Sequence, residues 1–244
     1  MSIRRMFTNV AGKYGLLNRM LTLGLDKRWR EACARESASG RIVVDLCCGT
    51  GDLSFQILSR STCMRVLGLD FNKEMLGEAV ERKSEWQKRL HYAAQRHGQA
   101  IDRIDLTFIL ADAAYLPIKD GCIDRVGISF SFRNLIYKNP KAMTYLKEIV
   151  RALRHNGKFV CVETSQPPYP PVRALFHLYC LRIVPLLGWL VSGSRGPYKY
   201  LGMSAANFPP SQDIVEMLKK SGFRTAFFRH LSIGIAALYV ATKQ

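Results

Sequence analysis

From Arg41 onward, short apolar runs alternate with amphipathic stretches, which is the βαβ signature of a parallel sheet. The runs predict strands at 42–46, 65–69, 106–110, 125–130 and 158–163, and the stretches between them predict helices at 51–59, 73–89 and 140–153. A last amphipathic helix is expected at 211–221, followed by closing strands at 224–230 and 236–242. The fold class that follows is α/β: a Rossmann-like, doubly wound, seven-stranded and mainly parallel sheet.

Three regions depart from that rhythm. Residues 1–40 show no strand alternation; Phe7, Val10, Tyr14, Leu17, Met20 and Leu21 recur at helical spacing, so this segment reads as a helical cover over the domain at 41–244. Residues 82–103 are basic, polar and weakly periodic, and read as a surface connection that prolongs the preceding helix or forms a loop. After Glu163 comes the cluster Pro167, Pro168, Pro170 and Pro171, and then an apolar helical run at 174–190, which Pro185 and Gly188 are expected to kink or end. Residues 164–210 are therefore read as an apolar cap inserted after the fifth strand, on the substrate side.

Composition narrows the class. A chain of 244 residues can bury a substantial core without staples. Its seven cysteines are odd in number and its five histidines are scattered, so neither a disulfide framework nor a metal site is expected. No signal peptide is indicated at Met1–Arg5, and His177, Arg182 and Pro185 disfavour a membrane span in the apolar run, so a cytoplasmic protein is expected, with peripheral contact at the inner membrane face. The formal charge of +17 reads first as a solvated basic surface, next as attraction to an anionic membrane, and last as contact with nucleic acid.

The chemistry concentrates in Val43–Asp52, a strand that ends in a glycine turn and opens a helix. Gly49 and Gly51 let the backbone bend tightly and approach a ligand. Dinucleotide-binding turns want a third small residue where this chain has Ser54. Asp45 ahead of the glycines, with Thr50 after them, would repel a pyrophosphate but suit a zwitterion carrying ammonium and sulfonium groups. Asp70, at the end of the second strand, is placed to accept ribose hydroxyls. Asp112 and Ala113 follow the third strand, where an acid receives the adenine amino group beside room for the ring, and Ser129 ends the fourth. These positions converge at carboxyl ends of parallel strands and point to S-adenosyl-L-methionine as cofactor. The competing readings are a loop cap for Asp45 and a helix N-cap for Asp70.

Taken together, Phe7–Asn18, Leu23–Trp29, Asp45–Leu53, Gly68–Leu76, Asp112–Pro117, Ile128–Leu135, Glu163–Pro168 and Tyr198–Phe208 make the chain resemble the menaquinone/ubiquinone biosynthesis C-methyltransferases. Ser129–Asn134 and Tyr198–Leu201 are the more specific stretches. The chain departs from that family's pattern at Gly15, where an acid is usual, and at Thr164–Gln166, where Phe-Ser-Lys is usual. The resemblance implies methylation of a ring carbon of a prenylated quinol, demethylmenaquinol to menaquinol. An RNA or other small-molecule methyltransferase and a non-catalytic cofactor-binding protein are the alternatives. Gln166–Tyr169 is similar to the motif with which DNA amino-methyltransferases grip a base, but it follows the fifth strand rather than the fourth.

A quinol carbon becomes a good nucleophile only when a neighbouring hydroxyl loses its proton, so a cation or base beside that oxygen is required. Arg133 with Asn134 is the expected catalytic pair, the competing reading for Arg133 being a structural ion pair. Tyr14 is expected to close over the site from the N-terminal helices. Tyr198, Tyr200 and His177 are the expected substrate-side residues, each with a core role as the alternative.

Overall fold

A computed structural model describes residues 19–60, 65–97, 105–193 and 196–244, leaving aside the side chains of 89–97 and 191–192. Seven strands form one sheet in the order β3-β2-β1-β4-β5-β7-β6. They span Ile42–Leu46 (β1), Arg65–Asp70 (β2), Asp105–Leu110 (β3), Ile123–Ser129 (β4), Leu153–Thr164 (β5), Phe223–Leu231 (β6) and Ala236–Lys243 (β7). The pairings from β3 across to β5 are all parallel, while β7 runs antiparallel between β5 and β6. The strand order reverses beside β1 and β4, the place where open α/β sheets hold ligands.

Alternation along each strand divides the core between two faces. Val44, Leu46, Phe159, Cys161, Tyr239 and Ala241 join one buried cluster. Val43, Val160, Val162, Leu238 and Val240 join the other. The first face is covered by Phe132–Ile136 (α4), Ala142–Ala152 (α5) and Ser211–Lys220 (α9), and the second by Leu25–Ser37 (α1), Asp52–Leu58 (α2) and Lys73–His97 (α3). Both faces of the central strands β1, β4 and β7 are thus largely buried, which is why they read as near-continuous apolar runs, while the edge strands β3 and β6 carry exposed residues.

The strands and helices expected between 42 and 242 are present; β5 starts earlier, at Leu153. Helix α3 runs on to His97, the helical one of the two forms expected past residue 89. Ahead of that extension it is anchored by Arg82, which donates to the Thr50 carbonyl at 2.7 Å and to the Asp52 carboxylate at 2.6 Å, and by Trp86 against Phe55. In the cap, Gly188 ends nothing: Pro170–Leu178 (α6), a π-helical turn at Tyr179–Ile183 and Val184–Ser192 (α7) follow one another directly. The wider π-turn lies just before Pro185, whose ring and missing N–H would disrupt a regular α-helix there. Gly188 instead allows close approach, because a Cβ there would overlap the Tyr198 side chain on Gly196–Ala206 (α8). Gly202 on α8 likewise lies against the Cys180 carbonyl oxygen.

Candidate functional site

Three backbone positions in the loop after β1 are left-handed: Cys47 at φ 55°, Gly49 at φ 54° and Gly51 at φ 83°. Two of them are glycine, for which this conformation costs little; at Cys47 it is strained and is held by the bonds around it. The Cys48 N–H donates to the Leu69 carbonyl at 3.0 Å, and the Gly49 N–H donates to the Asp70 carboxylate at 2.8 Å. The other Asp70 oxygen accepts the Asn72 N–H at 2.8 Å. One carboxylate therefore ties the first loop to the second. Burial raises the Asp70 pKa, with these backbone bonds pulling against it.

The two loops wall a cavity of about 300 Å³ at the carboxyl ends of β1, β2, β3 and β4. Gly49, Thr50, Asp70, Asp112, Ala113 and Ser129, six of the residues singled out in the sequence, line it. Asp112 is exposed at the rim, where its carboxylate accepts the Ala114 N–H at 2.9 Å. Asn134 also lines this cavity.

Gly51 and Asp45 stand differently from what was expected. Gly51 is the left-handed residue before α2 and does not line the cavity; a Cβ there would press on Phe55 and Phe108. Asp45 lies beneath the loop, 1% exposed, and accepts the Ser54 hydroxyl at 2.6 Å. Its other oxygen has no partner and is buried. Burial drives the Asp45 pKa up to about 7, against the opposing effects of Ser54 and Arg30. The strand's in–out alternation turns this side chain into the layer under the loop, a depth that the sequence motif does not reveal.

Arg30 on α1 also lines the cavity, opposite in charge to Asp52, Asp70 and Asp112. Its guanidinium is 3.2 Å from Asp26 and 3.7 Å from Asp52, and lies over the Phe130 ring at 5.6 Å. Burial works against ionisation of Asp52, but Arg30 and Arg82 outweigh it and hold the carboxyl below its ordinary range.

Phe130, at φ 56° just beyond β4, is among the described residues the one that this cavity shares with a second cavity of about 470 Å³. The second cavity is apolar, with Leu21, Leu25 and Trp29 on one side and Phe176, Tyr179 and Val184 of the cap on the other. Exposed Leu23 and Leu175 also line it. Its polar groups are Thr22, Asp26, Arg133 and Thr164.

Arg133 is 3% exposed and donates to Glu163 at 2.8 Å and to the Thr164 hydroxyl at 2.8 Å; its backbone N–H donates to the second Glu163 oxygen at 3.0 Å. Arg133 is thus both structurally paired and part of a cavity wall. Its Nε is buried without a partner.

The substrate-side residues separate. Tyr200 is half-buried and approaches the Asn134 amide oxygen at 3.5 Å, in a shallow hollow outside the apolar cavity. Tyr198 is a correction: it is buried with Leu21 and Val184 in the core of the cap and lines none of the three cavities. His177 is another: it shares a 2.8 Å hydrogen bond with the Gln166 amide oxygen, while the amide nitrogen donates to the Ala205, Ala206 and Phe208 carbonyls. That network fastens α6 to the end of α8, with His177 lining no described cavity. Tyr14 lies outside the described residues.

The sequence reading missed Arg30, Phe130 and Glu163. Asp26 and Arg30, four residues apart on one helix, were the legible hint of a held guanidinium.

The ubiE/COQ5 methyltransferase family matches residues 1–243. A demethylmenaquinone methyltransferase of Thermus thermophilus is 36% identical over 241 residues, covering 98% of this chain and 100% of the relative. One of Deinococcus radiodurans is 34% identical, covering 100% and 93%. The ubiquinone/menaquinone biosynthesis C-methyltransferase UbiE of Roseobacter denitrificans is 32% identical, covering 99% and 90%. Among solved structures, a SAM-dependent methyltransferase of Thermotoga maritima superposes with a TM-score of 0.60 at 15% identity, covering all of both chains. One of Aquifex aeolicus superposes at 0.52 and 12% identity, covering 84% and 82%. At such identities these structures speak to the fold.

Proposed function

The chain belongs to the ubiE/COQ5 methyltransferase family, and we propose that it C-methylates the ring of a prenylated quinol in respiratory quinone biosynthesis, with demethylmenaquinol as acceptor. The carrying observation is the apolar cavity of about 470 Å³ that meets the cofactor cavity at Phe130 and has the buried Arg133 in its wall.

The cofactor cavity fits S-adenosyl-L-methionine by its donor set. Asp70 and Asp112 face the nucleoside's hydroxyls and amino group from the ends of β2 and β3. Bound there, the cofactor supplies a methyl group already activated on a sulfonium. The protein has to align a ring carbon with that methyl and exclude water. The apolar walls serve exclusion; Leu23 and Leu175 at the exposed end receive the polyprenyl tail.

An unperturbed phenol has a pKa of about 10, so a quinol hydroxyl needs help to ionise at neutral pH. Arg133 gives it electrostatically: Glu163 and Thr164 hold one terminal nitrogen, which leaves the other for an oxygen in the apolar cavity that Arg133 lines. Glu163 is a positioning residue, since it grips Arg133 by both side chain and backbone. Asn134 lies on the cofactor side of the same short helix and Tyr200 braces it.

In this reading residues 164–210 form the substrate-side cap, and Leu21, Leu25 and Trp29 belong to its opposing cover. Pro170–Leu190 has the length and composition of a membrane span, but Phe176, Cys180 and Val184 are buried in the cap. Its outer face, with Leu178, Leu181, Leu186 and Leu190 exposed beside Arg182, suits lying on an anionic bilayer from which the acceptor enters.

The test is methyl transfer from labelled cofactor to demethylmenaquinol, with total RNA in parallel. Label in the quinol is expected. Label in RNA alone would overturn the acceptor assignment, and label in neither would favour a binding protein. Sedimentation with anionic vesicles that weakens with salt is expected; no sedimentation at low ionic strength would remove the membrane part.

A further inference from the structure

The cofactor cavity holds one cation for three anions among the described residues: Arg30 against Asp52, Asp70 and Asp112. S-adenosyl-L-methionine carries one carboxylate. Its other polar groups, two cations and a set of hydroxyl and amino donors, suit acids. The acids Asp70 and Asp112 belong to the ends of β2 and β3, whereas Arg30 reaches the cavity from α1 on the side of Thr50, Asp52 and Phe130. The charges of the cavity are therefore sorted in space as the charges of the ligand are along its length.

We infer that Arg30 receives the carboxylate of the cofactor's methionyl arm, an inference that rests on the cofactor reading above. The guanidinium is pre-oriented for this. Its side chain is 7% exposed, Asp26 holds one terminal nitrogen at 3.2 Å, and the Phe130 ring supports its face. Asp52 is 3.7 Å away, a loose contact, and Asp52 is already engaged by Arg82 at 2.6 Å. The Nε–H is buried out of the ligand's reach, whereas the second terminal nitrogen has only that loose contact with Asp52 and belongs to a side chain that lines the cavity. A largely buried guanidinium with an unmet donor is costly to leave so, and a carboxylate is the ligand group that satisfies it by a charge-assisted bond. The competing reading is that Arg30 only fastens α1 to α2 through Asp52.

Calorimetric titration of the full chain with two ligands separates these readings. S-adenosylhomocysteine carries the carboxylate, and 5′-methylthioadenosine lacks the whole amino-acid arm. Arg30→Met is expected to weaken S-adenosylhomocysteine 10- to 100-fold while leaving 5′-methylthioadenosine within twofold, and Arg30→Lys to recover part of the loss. Because Arg30→Met strands the buried Asp26, the charge-matched pair D26N/R30M is titrated as well, with thermal melting as a folding control; the same ligand selectivity is expected. Equal weakening of both ligands, or weakening of neither, would overturn the inference. The acceptor assignment fails separately: wild-type protein that prefers S-adenosylhomocysteine but does not methylate demethylmenaquinol sinks that assignment and leaves Arg30 in place.

Discussion

Replacing Asp45 with asparagine should change how stability depends on pH rather than stability alone. The carboxyl titrates at about 7 in the folded chain, driven up by burial, against an ordinary value of 3.8. The sign follows from which state holds the proton. Below pH 3.8 both folded and unfolded chains are protonated there and the group costs nothing. As pH rises toward 7 the unfolded chain releases its proton while the folded chain keeps it, so stability falls across this window. Between pH 5 and pH 8 the loss from this one group amounts to about 2–3 kcal/mol. The amide introduced by Asp45→Asn keeps an acceptor for the Ser54 hydroxyl and does not titrate. The gap between variant and wild type should therefore widen by that amount from pH 5 to pH 8, or roughly 5–10 °C in melting temperature for a chain of this size. Melting both proteins at four pH values without ligand measures it, and the subtraction cancels the other titrating groups. A gap that stays constant across the range would refute the reasoning.

Arg133→Met should leave Glu163 buried without its cation and cost about 3–5 kcal/mol, measured by urea unfolding. The pair R133M/E163Q should recover most of that stability and none of the turnover, with kcat still down roughly 100-fold in single-turnover methyl transfer. Gly202→Ala should force α8 away from the Cys180 carbonyl, raising KM for the acceptor and costing about 1–3 kcal/mol, while S-adenosylhomocysteine affinity stays within about twofold. Serine at both Leu186 and Leu190 should reduce sedimentation with anionic vesicles and leave S-adenosylhomocysteine binding unchanged in calorimetry.

The sheet was legible because strands buried on both faces leave apolar runs bounded by turn residues, as at Ile42–Leu46. The cofactor loops were legible because glycines and acids sit at strand ends, and strand ends converge in this topology whatever the side chains do. Depth was not legible. Asp45 is five residues before Thr50, yet the first lies under the loop and the second in the cavity wall, a difference made by strand alternation and a left-handed Cys47. The end of α3 was legible only as a choice between loop and continued helix, because the polar, weakly periodic residues past 89 leave no apolar stripe to mark it. Tyr198 and His177 looked like site residues for the opposite reason. A polar atom on an aromatic side chain reads the same whether it faces a ligand or fills a cap, and only the close approach at Gly188 and the amide of Gln166 decide.

The two cavities lean on shared elements. Strand-end loops build most of one and the cap between Val172 and Ala205 much of the other, yet α1 gives Arg30 to the first and Asp26 and Trp29 to the second, and the β4–α4 corner gives Asn134 to the first and Arg133 to the second. A change on α1 or at that corner should therefore disturb methyl donor and acceptor together, whereas a change confined to the cap should be felt on the acceptor side alone.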